Sequence, residues 1–461
     1  MFEFILSPLL TSQIFPQINP TLLSLNTNKI SEIMGRFLPC PMPCNCDKHK
    51  DSQIFQTSQI SDSSSSNSSL TSQLSLPSVP SLEHVVFASS SANHQSLVTL
   101  KGHTSYIFSL SVAGKYLFSG ASNGEIRASA SHGGASMYID ARTGSAVKSI
   151  TVINGKLITA HADHKIRVWR IKDHSISTAK TNVSANVTSN SNSSIAKLKL
   201  TATLPTGVDR CIRLFSAGSY VEVRRHRRQT WVHHVDAVAA LATSADGALL
   251  YSVSWDRSMK VWRSTDFRCV ESVQAAHDDA INAVAVAVDG NVYTGSADRL
   301  IKVWRRRDGE SRHSLVATLE KHKSAVNALA LSTDGSVLYS GACDRSIVVW
   351  EKGRGGGMAV AGALRGHRKA ILCLAVVAEV LCSGSADKSV RVWRRGSGNS
   401  YSCLAVLEGH KCPVKCLVAR LDRMCSEVDK KSEGDELGNS YLVYSGGLDF
   451  DIKVWKIWVP L

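Results

Sequence analysis

From His277 to Trp304 the apolar positions fall in short bursts. Ile281 and Val284 are followed by the polar pair Asp289 and Gly290, then Val292 and Tyr293, then Thr294, Gly295 and Asp298, and finally Ile301, Val303 and Trp304. Bursts of this length, rich in β-branched and aromatic residues and separated by turn formers, predict strands joined by tight turns. The same grammar recurs along the chain. An aspartate precedes a tryptophan by six positions at Asp163/Trp169, Asp256/Trp262, Asp298/Trp304, Asp344/Trp350, Asp387/Trp393 and Asp449/Trp455. A hydroxyl stands ten residues before each tryptophan, at Thr159, Ser252, Thr294, Ser340, Ser383 and Ser445. Five units also carry an upstream histidine: His234, His277, His322, His367 and His410. Four short strands recurring in about 40 to 45 residues predict one all-β repeat array. That reading overrides the length prior of roughly three domains for 461 residues.

A seventh, degenerate unit comes first. Leu100, Gly102, His103, Ile107, Leu110, Ser119, Gly120 and Asn123 keep the pattern, but Ala128 and Ser129 stand where valine and tryptophan are expected. The run from Met137 to Gly144 reads as a displaced third strand and its turn, with an insertion over about residues 128–136. The second unit lacks a Gly-His lead-in and carries a Ser/Thr/Asn-rich insertion over 171–199. In the last unit the interval from His410 to Asp449 is 39 residues against 20 to 22 elsewhere, stretched by a polar insertion over about 421–440. These units resemble WD repeats over about residues 96–461, and the resemblance implies a seven-bladed WD-repeat β-propeller. The chain stops six residues after Trp455. Ser96 to Leu100 is therefore expected to supply the outer strand of the last blade, as such propellers close their ring and remove an exposed sheet edge.

Aspartate, histidine and serine on one unit suggest a catalytic triad, since those are the residue types of an orienter, a base and a nucleophile. Recurrence argues against it, because a catalytic centre occurs once. In the WD-repeat family these positions form a structural relay, which the resemblance carries to His277, Thr294, Asp298 and Trp304, to His322, Ser340, Asp344 and Trp350, to His367, Ser383, Asp387 and Trp393, and to His410, Ser445, Asp449 and Trp455. A buried aspartate needs donors, and imidazole, hydroxyl and turn amides provide them. No enzyme activity, cofactor or metal is expected from the repeats.

Composition adds a tail and a charge asymmetry. Residues 1–90 are rich in serine, proline and asparagine and are expected to be disordered, with the propeller over 91–461. The tail holds four basic and six acidic residues, a net of −2, which leaves +17 on the remainder of a chain of net +15. No apolar stretch of about 18 residues exists to span a membrane, and the apolar start contains Glu3 and Pro8 rather than a secretory pattern. The twelve cysteines, several in strand-like runs, read as small apolar residues of a reducing compartment. Cys40, Cys44, Cys46 and His49 cluster without the paired knuckles of a zinc site, and Asn67, Asn182, Asn186 and Asn192 form glycosylation triplets without a secretory signal. The expected location is the cytoplasm, with the nucleus as a second one.

Function is then sought where residues exceed what the fold requires. The residue after the repeat aspartate is Arg257, Arg299, Arg345 and Lys388 in units three to six, and the lead-in loops add Lys321, Lys323, Arg365, Arg368, Lys369 and Lys411. By resemblance both loops emerge on one face, which predicts a basic ring that docks proteins with acidic surfaces. Solvated turn residues are the plain alternative. The run Arg224, Arg225, Arg227 and Arg228, within a segment over 204–238 longer than a junction needs, resembles plant JINGUBANG-type WD-repeat proteins. That resemblance implies a regulatory protein acting through protein contacts, and the run also fits an import signal or a phosphate-binding patch. The expected function is a non-enzymatic scaffold, working as a monomeric propeller. Its rivals are nucleic-acid binding on the basic face, or a cullin-ligase substrate receptor. Gly353 stands where the receptor pattern after Trp350 and Glu351 needs arginine. A G-β-like partner would need an N-terminal coiled coil, and no heptads appear.

Overall fold

The computed structural model describes residues 79–82, 93–130, 138–173, 196–207, 209, 220–224, 227–307, 309–310, 312–396, 400–422 and 438–460. Every blade is a four-stranded antiparallel sheet, in chain order in all but the last. Blade one runs through Ile107–Ala113, Tyr116–Ala121, Glu125–Ala130 and Tyr138–Arg142. Blades two to six extend from Val147–Ile153 to Ala196–Leu204, Val238–Thr243 to Cys269–Val273, Ile281–Val286 to His313–Glu320, Val326–Leu331 to Met358–Leu364, and Ile371–Val377 to Tyr401–Leu407. The first strand of each blade packs on the first strands of both neighbours, the seventh on the first, so the ring is closed.

Closure uses the strand expected for it. Asn93–Leu100 pairs antiparallel with Ile452–Pro460, matching Leu100 to Ile452 and Val98 to Val454, beside Gly438–Gly447 and Val414–Leu421. A sheet edge that would otherwise offer a row of unpaired amides is thereby covered.

The apolar core is divided into seven sectors, each between adjacent blades. The repeat tryptophans face the preceding blade: Trp350 lies with Tyr293 and Val303, and Trp393 with Tyr339 and Val349. The glycine after the hydroxyl permits this spacing. A Cβ on Gly295 would stand 2.7 Å from Val326 Cγ1 of the next blade, closer than side chains tolerate.

Three expectations change. The third strand of blade one is Glu125–Ala130, and Tyr138–Arg142 is its fourth, not a displaced third. Ser129 sits opposite Leu117 as Trp393 sits opposite Leu381, so small residues occupy a regular strand and the expected insertion over 128–136 does not begin there. The strands bounding the other insertions reach Asp173, Ala196, Leu421 and Gly438, while residues 174–195 and 423–437 lie outside the described ones. Of the tail, residues 79–82 are ordered against the propeller, with Ser81 bridging Ala363. The rest of the tail, including the Cys40, Cys44, Cys46 and His49 cluster and Asn67, lies outside the described residues, as do Asn182, Asn186 and Asn192.

Leu100 is 1% exposed within the sector shared with Ile107, Tyr444, Ile452 and Val454. Leu100→Ala is expected to cost about 2–5 kcal/mol by urea unfolding. Deleting Asn93–Leu100 should lower the melting temperature far more than deleting residues 1–78, and equal melting temperatures would contradict the closure.

Candidate functional site

In each of blades three to seven one carboxylate organises the turn between the second and third strands. In blade five, Asp344 Oδ2 accepts from His322 Nδ1 at 2.9 Å and from the Lys323 amide at 3.0 Å, while Oδ1 accepts from the Ser346 amide at 3.0 Å. His322 Nε2 lies 2.8 Å from Ser340 Oγ, which accepts the Trp350 indole N–H at 2.8 Å. If the imidazole Nδ1 proton goes to the carboxylate, Nε2 is left as an acceptor, so the hydroxyl donates to it. The chain of donors therefore runs from indole to hydroxyl to imidazole, whose Nδ1 proton meets the carboxylate.

The same constellation brings together the other expected sets. His277 Nδ1 is 2.8 Å from Asp298 and its Nε2 2.8 Å from Thr294, which takes the Trp304 proton at 2.9 Å. His367 stands 2.9 Å from Asp387 and 2.8 Å from Ser383, with Trp393 at 2.9 Å. His410 stands 3.0 Å from Asp449 and 2.8 Å from Ser445, with Trp455 at 2.9 Å. Blade three repeats it with His234, Asp256, Ser252 and Trp262. In each of these five blades the hydroxyl residue is buried beside the indole that donates to it.

Two blades depart from the relay. In blade two His161, two residues beyond Thr159, replaces the missing lead-in histidine: its Nε2 is 2.7 Å from Thr159 Oγ1, and Asp163 turns to Arg167 at 2.6 Å. In blade one Asn123 stands at the aspartate position and caps the Glu125 amide, leaving His103 Nδ1 without a hydrogen-bond partner. The buried Glu125 supplies the missing charge 3.8 Å away and binds Arg127 and Arg142 at 3.1 Å each. Neither His161 nor Glu125 was singled out by the repeat register. The signals were present as a histidine shortly after Thr159 and an acid placed between Asn123 and Arg127.

Electrostatics follow from burial and partners. Burial pushes the Asp344 carboxyl up, but hydrogen bonding to His322 and Ser346 more than reverses this and holds it at about 2. Burial opposes ionisation of Asp256 and Asp387 too, and the histidine and serine partners hold both well below the usual carboxylate range. Burial lowers His103 and His161 to about 4, aided by Arg127 and Arg167 respectively.

The carboxylate also sets the surface above it. One arm of each turn is the residue after the aspartate, held left-handed at Arg257 (φ 67°), Arg299 (φ 75°), Arg345 (φ 69°) and Lys388 (φ 74°). The other is the residue after the histidine, whose amide the same carboxylate holds: Lys323, Arg368 at 2.9 Å and Lys411 at 2.8 Å. All seven side chains are exposed. Blade one places Gly124 at this left-handed position, the residue that adopts it without strain. A side chain there costs about 1–2 kcal/mol, yet four blades carry long cations. The lead-in loops of blades five and six add Lys321, Lys323, Arg365, Arg368 and Lys369, whereas those of blades three and four carry Asp236, Asp278 and Asp279.

Arg224, Arg227 and Arg228 lie elsewhere, on a two-stranded hairpin of Tyr220–Arg224 and Arg227–Thr230 that joins no blade. Arg224 pairs with Arg227 at its tip, and Arg225 lies outside the described residues. Among the described residues no cluster of histidine, cysteine or acid fits a metal ion. No described helix is long and apolar enough to cross a membrane.

Five segments, 94–128, 225–263, 267–305, 313–351 and 359–394, match the family described as WD domain, G-beta repeat. The chain carries WD repeats in a seven-bladed propeller. The matched segments reach the third strands of blades one, three, four, five and six of this propeller. Over 135 residues it is also 31% identical to the ribosome biogenesis protein WDR12 homolog of Chlamydomonas reinhardtii, covering 27% of this chain and 30% of that protein.

Acid is expected to loosen this propeller in two stages. His103 and His161 have folded pKa values of about 4, below the ordinary histidine value of 6.5, so protonation favours the unfolded chain and stability falls as pH drops from 6.5 to 4. Each contributes on the order of 3 kcal/mol at full effect. The depressed Asp344 adds stability above its unfolded value that is lost as pH falls on towards about 2. Melting temperature against pH should therefore slope between pH 6.5 and 4, and His161→Gln should flatten that slope.

Proposed function

We propose that this WD-repeat propeller is a non-enzymatic scaffold whose carboxylate-ordered face docks acidic surfaces of partner proteins in a regulatory complex. One observation carries the reading: Arg345, Lys388, Lys323, Arg368 and Lys411 are exposed cations whose backbones are fixed by the buried aspartates, three of the five by direct amide bonds. Cations held on rigid turns lose little backbone freedom on binding, and like charges over blades five and six favour an acidic partner and speed its encounter. Left-handed arginine and lysine at positions suited to glycine add to this, since strained backbone gathers at functional sites. The basic run over 224–228 resembles that of plant JINGUBANG-type proteins, and this resemblance supports a regulatory role in cytoplasm and nucleus.

A second reading rests on the match to a ribosome biogenesis protein. It places the scaffold in ribosome biogenesis, where the exposed cations meet phosphate instead of carboxylate. The two readings separate by salt, because a phosphate-backbone contact loses affinity steeply between about 50 and 200 mM. A cullin-ligase receptor role has less support, with Gly353 in place of the expected arginine.

The decisive comparison is affinity purification with mass spectrometry of the wild type against Arg345→Glu, Arg368→Glu, Lys388→Glu and Lys411→Glu combined. A control carries Lys197→Glu and Lys199→Glu, exposed on the outer strand of blade two. The fourfold variant should lose its partners at unchanged melting temperature while the control keeps them. An identical partner set for all three proteins would sink the basic-face reading.

A further inference from the structure

The outer strands of the blades are alike except at one position. The residue paired opposite the valine just before each tryptophan is Ala202 in blade two, Glu271 in blade three, Ala317 in blade four, Ala405 in blade six and Val98 in blade seven (Val168 and Val454 being the partners at its two ends). Blade five has Gly362. A Cβ on Gly362 would overlap the side chain of Leu82, which packs into the sector between blades five and six. The glycine makes room for a residue from a distant part of the chain.

The backbone around Leu82 is also fully engaged. Its amide donates to Ala363 O at 3.1 Å, the Ala363 amide donates to Pro80 O at 2.9 Å, and Ser81 bridges Ala363 in parallel. Leu82 O accepts from the Tyr401 amide of blade six at 3.2 Å, and Val79 O accepts from Arg365 at 2.7 Å. Val79 itself packs on the sector between blades four and five. Four residues thus add a short strand to the edge of blade five and reach across to blade six.

The groove between blades three and four shows what fills such a place without a peptide. Glu271, at the position of Gly362, accepts the amide of His313 at 2.7 Å and its imidazole at 2.6 Å. His313 opens the outer strand of blade four as Tyr401 opens that of blade six. In one groove the acceptor for that amide is a side chain of the adjoining blade. In the other the blade has shed its side chain and the carbonyl of Leu82 takes its place.

We propose that the rim groove between blades five and six is a β-augmentation site for a short extended peptide with a buried leucine, and that Val79–Leu82 is its intramolecular ligand. Main-chain bonds to an open strand edge give such a site affinity, and the leucine pocket over Gly362 gives it selectivity. A partner presenting the same pattern would compete with the tail, and release of the tail would open the site.

Hydrogen exchange on the full chain tests this, with a labelled peptide of residues 77–84 as probe. In the wild type the amides of Leu82, Ala363 and Tyr401 should be protected and the peptide should not bind. Leu82→Asp should speed exchange at Ala363 and Tyr401 about tenfold or more, and added peptide should bind and restore protection. Gly362→Glu should free the Leu82 amide, keep Tyr401 protected through the new carboxylate, and bind no peptide. Unchanged protection of Ala363 and Tyr401 in Leu82→Asp, failure of that variant to bind the peptide while exchange elsewhere is normal, or a Leu82 amide still protected in Gly362→Glu would each overturn the proposal.

Discussion

A carboxylate taken out of water must be met by donors or it destabilises whatever contains it. In blades three to seven that demand is answered by an imidazole, by the amide two residues on and by the amide that follows the histidine. Those donors come from two segments of chain, so satisfying one charge fixes the turn, the lead-in loop and, through the hydroxyl, the orientation of the tryptophan that fills the core sector. Core packing and surface geometry are two ends of one hydrogen-bond network. A loose carboxylate would blur the indole position on one side and the cations Arg345 and Lys388 on the other.

The blades that lack the full set show how strictly the demand is kept. Blade one, with Asn123 at the aspartate position and Ser129 at that of the tryptophan, recovers a buried charge at Glu125 and neutralises it with Arg127 and Arg142. Blade two draws its histidine from the end of the same strand as its hydroxyl and pairs Asp163 with Arg167. The register of the sheets is the same in both, because strand pairing depends on alternation and turn chemistry rather than on the relay.

What was legible in the sequence was whatever repeats at fixed spacing. The Asp-to-Trp register located the third strands of six blades, and the short C-terminal stretch after Trp455 pointed to closure by Ser96 to Leu100. Blade one was misread at Tyr138 because its third strand carries alanine and serine, which give no apolar signal, although they pair in register. The candidate face was legible as charge but not as shape: the register gave Arg257, Arg299, Arg345 and Lys388 as turn residues, and only the folded loops show the amides of Lys323, Arg368 and Lys411 held by the same carboxylates. Residues 79–82 were invisible for a related reason. Their partners, Ala363 and Tyr401, lie hundreds of positions away, and nothing local in Val-Pro-Ser-Leu predicts a strand.

The closing strand has a consequence for how the molecule is made. Leu100 leaves the ribosome early and must wait for Ile452, 352 positions later, before its hydrogen bonds can form. At the usual pace of about 5–20 residues per second this is on the order of 20–70 s. Throughout that interval blades one to six can assemble against one another, yet the flank of blade one and the strand Asn93–Leu100 remain uncovered. Pairing at such sequence separation is slow even once synthesis ends. The nascent chain therefore passes through a stage in which a nearly complete disc presents one open radial gap, a window for chaperone capture or for an obligate partner to join during synthesis.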